Sequence, residues 1–211
     1  MRIRDIMSTN VVTVHEKTLV GDARKIMEAH RIRRLPVMKK DKLVGLVTKH
    51  MLLEAAPSPA TSLSIYELNY LLAKMTVKDI MVKKPYTISP DMPAEEALQL
   101  GQEKGYGGFL VAEDGRLVGV VTESDIVRIM ARVLGVKEKG KRIDIKVSKE
   151  FGHFQRIMNI LDKHKTVLLS LITLKELEEE DWLTVLRVKS KDAEPIAKEL
   201  KTSGFNVTYV G

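Results

Sequence analysis

The chain has 211 residues, 44% of them hydrophobic, enough for one large domain or two ordinary ones with real cores. It contains no cysteine, which excludes disulfides, thiol catalysis and thiolate metal sites. Its 35 Lys and Arg against 28 Asp and Glu leave a net charge of +7, which suits an anionic partner, and no run of about 18 apolar residues is present to span a bilayer.

The opening MRIRDIMST lacks the apolar core of a secretory signal, so a cytoplasmic location is expected. A short β run, VVTV at 11–14, leads to a helix over roughly 19–30 with Leu19, Ala23, Ile26 and Met27 on one face. Two strands, LPVM and LVGLVT, flank the polar turn KKDK, and a second helix starts near Thr48. The stretch RIRRLPVMKKDK, residues 31–42, sets six Lys or Arg against one Asp. Such a patch fits nucleic acid, a small phosphate ligand or a solvated face, but no long basic helix, zinc-finger spacing or aromatic-basic strand accompanies it.

Pro57 and Pro59 then break the chain. Ser62, Ser64 and Glu67 open an amphipathic helix carrying Leu68, Leu71 and Leu72, so residues 57–76 read as a helical connector.

After the connector the same text returns. DIM at 5–7 recurs at 79–81, Thr13 and Val14 align with Thr87 and Ile88, Ala23 with Ala97, LPV with FLV at 109–111, and LVGLVT with LVGVVT. Every pair is 74 residues apart, with no gap. Each copy is β-α-β-β-α, too small to bury both faces of its sheet alone, and two copies packed face to face resolve that. The Asp114-Gly115 turn is the stronger hairpin signal of the two.

The texture changes after residue 141. RIDIKVS alternates as a half-buried strand, and a helix follows with Phe154, Ile157, Met158 and Leu161 at helical spacing. TVLLSLITL and WLTVLRVKS are strands around the acidic turn ELEEED, DAEPIAKELKTSG is a helix closed by Gly204, and FNVTYVG is the last strand. The order β-α-β-β-α-β packs as an antiparallel sheet with two helices on one face, and the whole chain is α+β.

Chemistry concentrates where the copies differ. Thr122 followed by Asp125 is close to a capping box, and it also suits a ligand, since Thr122 begins a helix with free amides and Asp125 can accept from ribose hydroxyls. Gly119 either leaves room for a sugar or relieves strand packing. The first copy keeps Gly45 and Thr48 but has Met51 in place of the acid. It also has Arg31, Arg33 and Arg34, of which Arg33 and Arg34 align with Gly107 and Gly108; guanidinium forks suit phosphate, and the alternative is plain strand-edge charge. His15, His30, His50, His153 and His164 show no metal-ligand spacing, and ELEEED lacks the alternating oxygen ligands of a Ca²⁺ loop. No nucleophile-base pair, P-loop or dinucleotide fingerprint is present.

DIM, HRIRRLPV, LVGLVT and LVGVVTESD resemble a CBS-domain pair, or Bateman module, and residues 142–211 resemble an ACT domain. The combination is similar to the acetoin-utilisation protein B family of regulators. It divides the chain into a first CBS domain (1–56), the connector (57–76), a second CBS domain (77–135) and an ACT-like, ferredoxin-type domain (141–211). The resemblance implies a cleft for AMP, ADP, ATP or S-adenosylmethionine. Backbone around Thr87 and Ile88 and the strand Gly108, Phe109, Leu110 would hold the adenine, while Gly119, Thr122 and Asp125 would take sugar and phosphate. Thr13, Thr48, Arg33 and Arg34 are the first copy's contribution. Gly152 and His153 mark a candidate amino-acid site in the loop where ACT domains carry a glycine. No resident cofactor or metal, a homodimer, an unidentified target protein and a regulatory rather than enzymatic role follow from the same resemblance. The rival is a nucleic-acid-binding regulator using residues 31–42.

Overall fold

The computed structural model describes residues 1–55, 73–147, 152–175 and 182–211. Most of the expected connector, with its prolines and leucines, and the ELEEED turn lie outside the described residues. The chain divides into two compact units, Met1–Ile126 and Val127–Gly211.

In the first unit the first copy comprises β1 (Val14–His15), α1 (Val20–Ala29), β2 (Arg34–Lys39), β3 (Lys42–Thr48) and α2 (Lys49–Glu54). A one-turn helix α3 (Val77–Ile80) and β4 (Val82–Lys83) precede the second copy: β5 (Thr87–Ile88), α4 (Ala94–Lys104), β6 (Gly108–Glu113), β7 (Arg116–Thr122) and α5 (Glu123–Val133). The sheets run β1-β2-β3-β4 and β5-β6-β7, each with a parallel first pair and antiparallel pairs after it. The β-α-β-β-α repeat read from the 74-residue spacing is therefore present twice. Even the irregularities repeat: a register shift between Val37 and Met38 recurs between Val111 and Ala112.

Helix α1 buries Val20, Ala23 and Met27, three and four residues apart, which is the spacing that puts side chains on one face. Both hairpins turn in two residues, shorter than the four-residue turns expected, because Lys40 and Asp114 take φ of 52° and 50° and let the ladder continue to the corner. The first strand of each copy shrinks to two residues.

The copies exchange segments, which the sequence reading did not anticipate. Residues 1–8 dock on the second copy: the Ile3 amide donates to Met92 O at 2.9 Å, the Ala94 amide to Met1 O at 2.9 Å, and Ser8 bridges Val120 of β7. Arg4 and Arg2 clamp Asp91 at 2.7 and 3.0 Å. Reciprocally, β4 pairs with Gly45 and Leu46 of β3, and the Val77 amide donates to Thr18 O at 2.8 Å. Ile3 and Val77 are fully buried, each worth about 1.5–3 kcal/mol of apolar transfer. Strands β3 and β7 pack against each other across the pair.

The second unit holds β8 (Lys141–Val147), α6 (His153–Lys163), β9 (Leu168–Lys175), β10 (Trp182–Val188), α7 (Glu194–Thr202) and β11 (Asn206–Val210). Its sheet order is β11-β8-β10-β9, antiparallel throughout. Ile143, Ile145 and Val147 alternate along β8 and meet Ile157, Leu161, Ile196 and Leu200 of the two helices. On the other face of β8, Arg142 grips Asp144 with two hydrogen bonds of 2.7 and 2.8 Å. Glu199 ties α7 to the end of α6, accepting from Lys163 Nζ at 2.8 Å and lying 2.8 Å from His164 Nε2. Lys163 first, then His164, holds the Glu199 carboxyl below the usual glutamate range.

The boundary between units falls at 126/127, inside the expected second domain. Ile126 is the only residue of α5 that is buried. Past it begins the second unit, within which Ser170 Oγ donates to Leu134 O at 3.1 Å.

Candidate ligand cleft between the two copies

The ends of β2 and β3 and the ends of β6 and β7 lie at equivalent places in the two copies, and each carries a helix onward. The Lys49 amide donates to Arg33 O at 2.9 Å and the Glu123 amide to Gly107 O at 3.3 Å, so strand start and helix start are tied together in both. Between these corners opens a cleft of about 740 Å³, within the range of small-molecule sites.

Its walls differ. The first copy supplies Arg31, Ile32, Arg33, Arg34, Thr48, Lys49 and His50; the second supplies Gly107, Phe109, Leu110, Val120, Val121 and Thr122, with Glu123 and Ser124 at the helix start. Arg34 is half-buried and crosses to the other copy: a Cβ at Gly107 would lie 2.9 Å from its Nη2, and one at Gly108 3.5 Å from its Nη1. Glycine at 107 is what admits the guanidinium, whereas at Gly108 a Cβ would first meet Val121 O at 2.8 Å. Burial first, and the neighbouring Arg33 charge second, lower the Arg34 pKa from its ordinary value, though it stays cationic at any physiological pH. Among the described residues, Arg31, Arg33, Arg34 and Lys49 have no carboxylate partner.

The two helix starts also differ. In the second copy the Asp125 carboxylate accepts from the Thr122 amide at 3.0 Å and the Thr122 hydroxyl at 2.6 Å, and the Asp125 amide returns a bond to that hydroxyl at 3.3 Å. In the first copy only the Met51 amide bonds to Thr48 Oγ1, at 3.3 Å. These bonds form the capping box of Thr122 and Asp125.

Of the residues singled out from sequence, Arg33, Arg34, Thr48, Phe109, Leu110 and Thr122 line the cleft. Gly108 backs Arg34 from behind. Thr13, Thr87, Ile88, Gly119 and Asp125 are not among its walls. Ile88 is 3% exposed and pairs with Val111, while Thr87 pairs with Leu110. The reading of Gly119 as room for a sugar is corrected: a Cβ there would meet Met7 Sδ at 2.6 Å and Ser8 O at 3.1 Å, so the space belongs to the exchanged segment. Gly45 is its counterpart, facing Met81 and Val82. Lys49, His50, Gly107, Val120, Val121, Glu123 and Ser124 were missed. The signal for most of them was adjacency, since each follows or precedes a residue already chosen.

Beside the cleft wall, Phe109 joins an aromatic trio with Tyr86 and Tyr106, ring centroids 5.9–6.3 Å apart. The first copy has Val12, Ile32 and Leu35 at those positions. Among the described residues no group of three or more His, Cys, Asp or Glu could hold a metal ion, and no helix is long and apolar enough to cross a membrane.

Residues 3–58 and 77–132 each match the CBS domain family, more than half of the chain. The chain belongs to the CBS-domain family. A CBS domain-containing protein of Dictyostelium discoideum is 33% identical over 134 residues, 63% of this chain and 92% of that protein. An inosine-5'-monophosphate dehydrogenase of Korarchaeum cryptofilum is 32% identical over 126 residues, which is 59% of this chain but 23% of the enzyme. Solved CBS structures share the arrangement at 27% identity over 65% of this chain. One is a CBS pair in complex with 5'-methylthioadenosine and S-adenosyl-L-methionine (TM-score 0.51, 98% of that chain). Another is a CBS protein in complex with AMP (0.52, 98%), and a third a putative acetoin utilization protein from Vibrio cholerae (0.54, 96%).

Proposed function

We propose that this CBS pair is a regulatory module that binds an adenosine-containing ligand in the cleft between its copies and does no chemistry on it. The observation that carries this reading is the half-buried, carboxylate-free Arg34 at the cleft between the copies. A buried cation without a counter-charge is costly, and a ligand phosphate would relieve that cost. Similar CBS proteins have been solved in complex with AMP or with 5'-methylthioadenosine and S-adenosyl-L-methionine, which supports an adenosine ligand here. Occupancy would favour one relative arrangement of the copies and so alter what a partner meets.

The test is a thermal-shift screen of AMP, ADP, ATP and S-adenosylmethionine. A ligand at about a hundred times its Kd adds roughly 2.7 kcal/mol, and each kcal/mol moves the midpoint by about 2–4 °C for a chain of this size. No shift with any of the four removes the reading. Generic DNA or RNA binding that collapses steeply with salt would favour the nucleic-acid alternative instead.

For the second unit, the β-α-β-β-α-β order and the β11-β8-β10-β9 sheet support an ACT-like, ferredoxin-type domain at 141–211. Gly152 takes φ 86° at the start of α6, a backbone reason for glycine that stands with or without a ligand, and the His153 ring rests on Phe154 at 4.2 Å. An amino acid at Gly152 and His153 is tested in the same screen. The equivalent residues Leu53 and Val127, 50% and 51% exposed on the last helix of each copy, favour a homodimer, read by light scattering.

A further inference from the structure

The geometry points to a cleft that takes one nucleoside polyphosphate per chain in a single orientation, phosphates on the first copy and base on the second. This rests on the adenosine-ligand reading above and goes beyond it in naming ligand class, direction and number. Two identical copies would offer the same groups on both sides of their pseudo-two-fold axis, and a ligand could sit either way. Here the sides are unlike. Arg31, Arg33 and Arg34 stand where the second copy has Gly105, Gly107 and Gly108, and Lys49 stands where it has Glu123. All four cations line the cleft, and among the described residues none is neutralised by a carboxylate. The second copy offers Phe109, Leu110, Val120 and Val121, an apolar wall suited to a base.

The charge also extends past the reach of one phosphate. A second hollow of about 300 Å³ is lined by Arg24 and shares Arg31, Arg33 and Lys49 with the cleft. Half-buried Arg34 meets the first phosphate, and the exposed Arg31, Arg33 and Lys49 meet those beyond it. Glu28, the one acid in that hollow, is engaged by Arg24 at 3.1 Å. S-adenosylmethionine, with a sulfonium cation and no phosphate, is the wrong charge for this wall.

Isothermal titration of the whole chain decides. ATP is expected to bind about tenfold or more tighter than AMP, and tighter than S-adenosylmethionine, with one equivalent per chain. In Arg31→Ala/Lys49→Ala the ATP-to-AMP gap should shrink to about threefold or less, whereas Lys198→Ala on exposed α7 should leave it alone. Arg34→Lys keeps the charge but not the fork and should weaken AMP and ATP alike, with circular dichroism confirming the fold. Inorganic tripolyphosphate should bind much less well than ATP, because it lacks the base. Equal affinity for AMP and ATP, two equivalents per chain, an unchanged gap in the double variant, or tripolyphosphate matching ATP overturns the inference while leaving an adenosine site in place. Silence from every adenosine compound removes both readings.

Discussion

The two copies share a fold and differ at their corners, and the difference separates what the fold requires from what a ligand would use. Both need a threonine to start the last helix and a glycine opposite the exchanged segment, so Thr48 and Thr122, and Gly45 and Gly119, agree. Where the fold is indifferent they diverge: arginines against glycines, aliphatics against aromatics, Met51 against Asp125. Shared residues report on packing, and the arginine-for-glycine differences report on the cleft.

The largest test of this division is truncation at one equivalent core pair. Leu35→Ala should cost about 2–5 kcal/mol and Phe109→Ala about 3–5 kcal/mol in urea unfolding, since both side chains are almost fully buried. Only Phe109→Ala removes a cleft wall, so only it should also weaken ligand binding.

Next comes the cap. Asp125→Ala should lower stability by about 1–2 kcal/mol, and Met51→Asp should raise it by about 0.5–1 kcal/mol by completing the first copy's box. Both are read as thermal midpoints without ligand. If Asp125→Ala leaves the midpoint unmoved, the three bonds between Thr122 and Asp125 contribute nothing net, and the copies do not differ there.

The smallest effect is with pH. Asp91 is held below the usual aspartate range, first by its hydrogen bond from Arg4, and Glu16 below the usual glutamate range, first by Lys39 at 3.0 Å. Depressed carboxyl pKa values mean that the folded state binds fewer protons than the unfolded one. The stabilisation is therefore present above the ordinary range of about 4 and is lost as pH falls through the folded values. Neutralising one clamp at a time, with Asp91→Asn and Glu16→Gln, should flatten the acid limb of the stability profile in each case. Two unaltered limbs would show both clamps to be idle, a result less surprising for the exposed Arg4–Asp91 pair than for the buried Glu16 carboxylate.

The repeat, its hairpins and the β-α-β-β-α-β tail were legible because they are written in periodicity and spacing. The exchange was not. Periodicity marks a residue as inward-facing but does not say which sheet it faces, and the buried Ile3 and Val77 belong to segments bonded to the other copy. Gly119 illustrates the same limit: a glycine records a need for room and not the identity of the occupant, which is Met7. Arg34 was legible because its counterpart is a glycine, a contrast that only a repeat of fixed offset makes visible. The α5 pattern runs on past its buried Ile126 and across the unit boundary at 126/127 without a break that a reader of the sequence could see.

The crossed edge segments carry a consequence for how such a chain comes into being. A nascent chain released only through Thr48 has made β3 but lacks β4, the neighbour that covers its outer edge, because that neighbour lies more than thirty residues downstream. Meanwhile residues 1–8 dock through Ser8 on Val120, more than a hundred residues further along the chain. Each sheet is thus bordered by a segment written next to the other copy, so a gene cut between the copies would leave two sheets each missing a border.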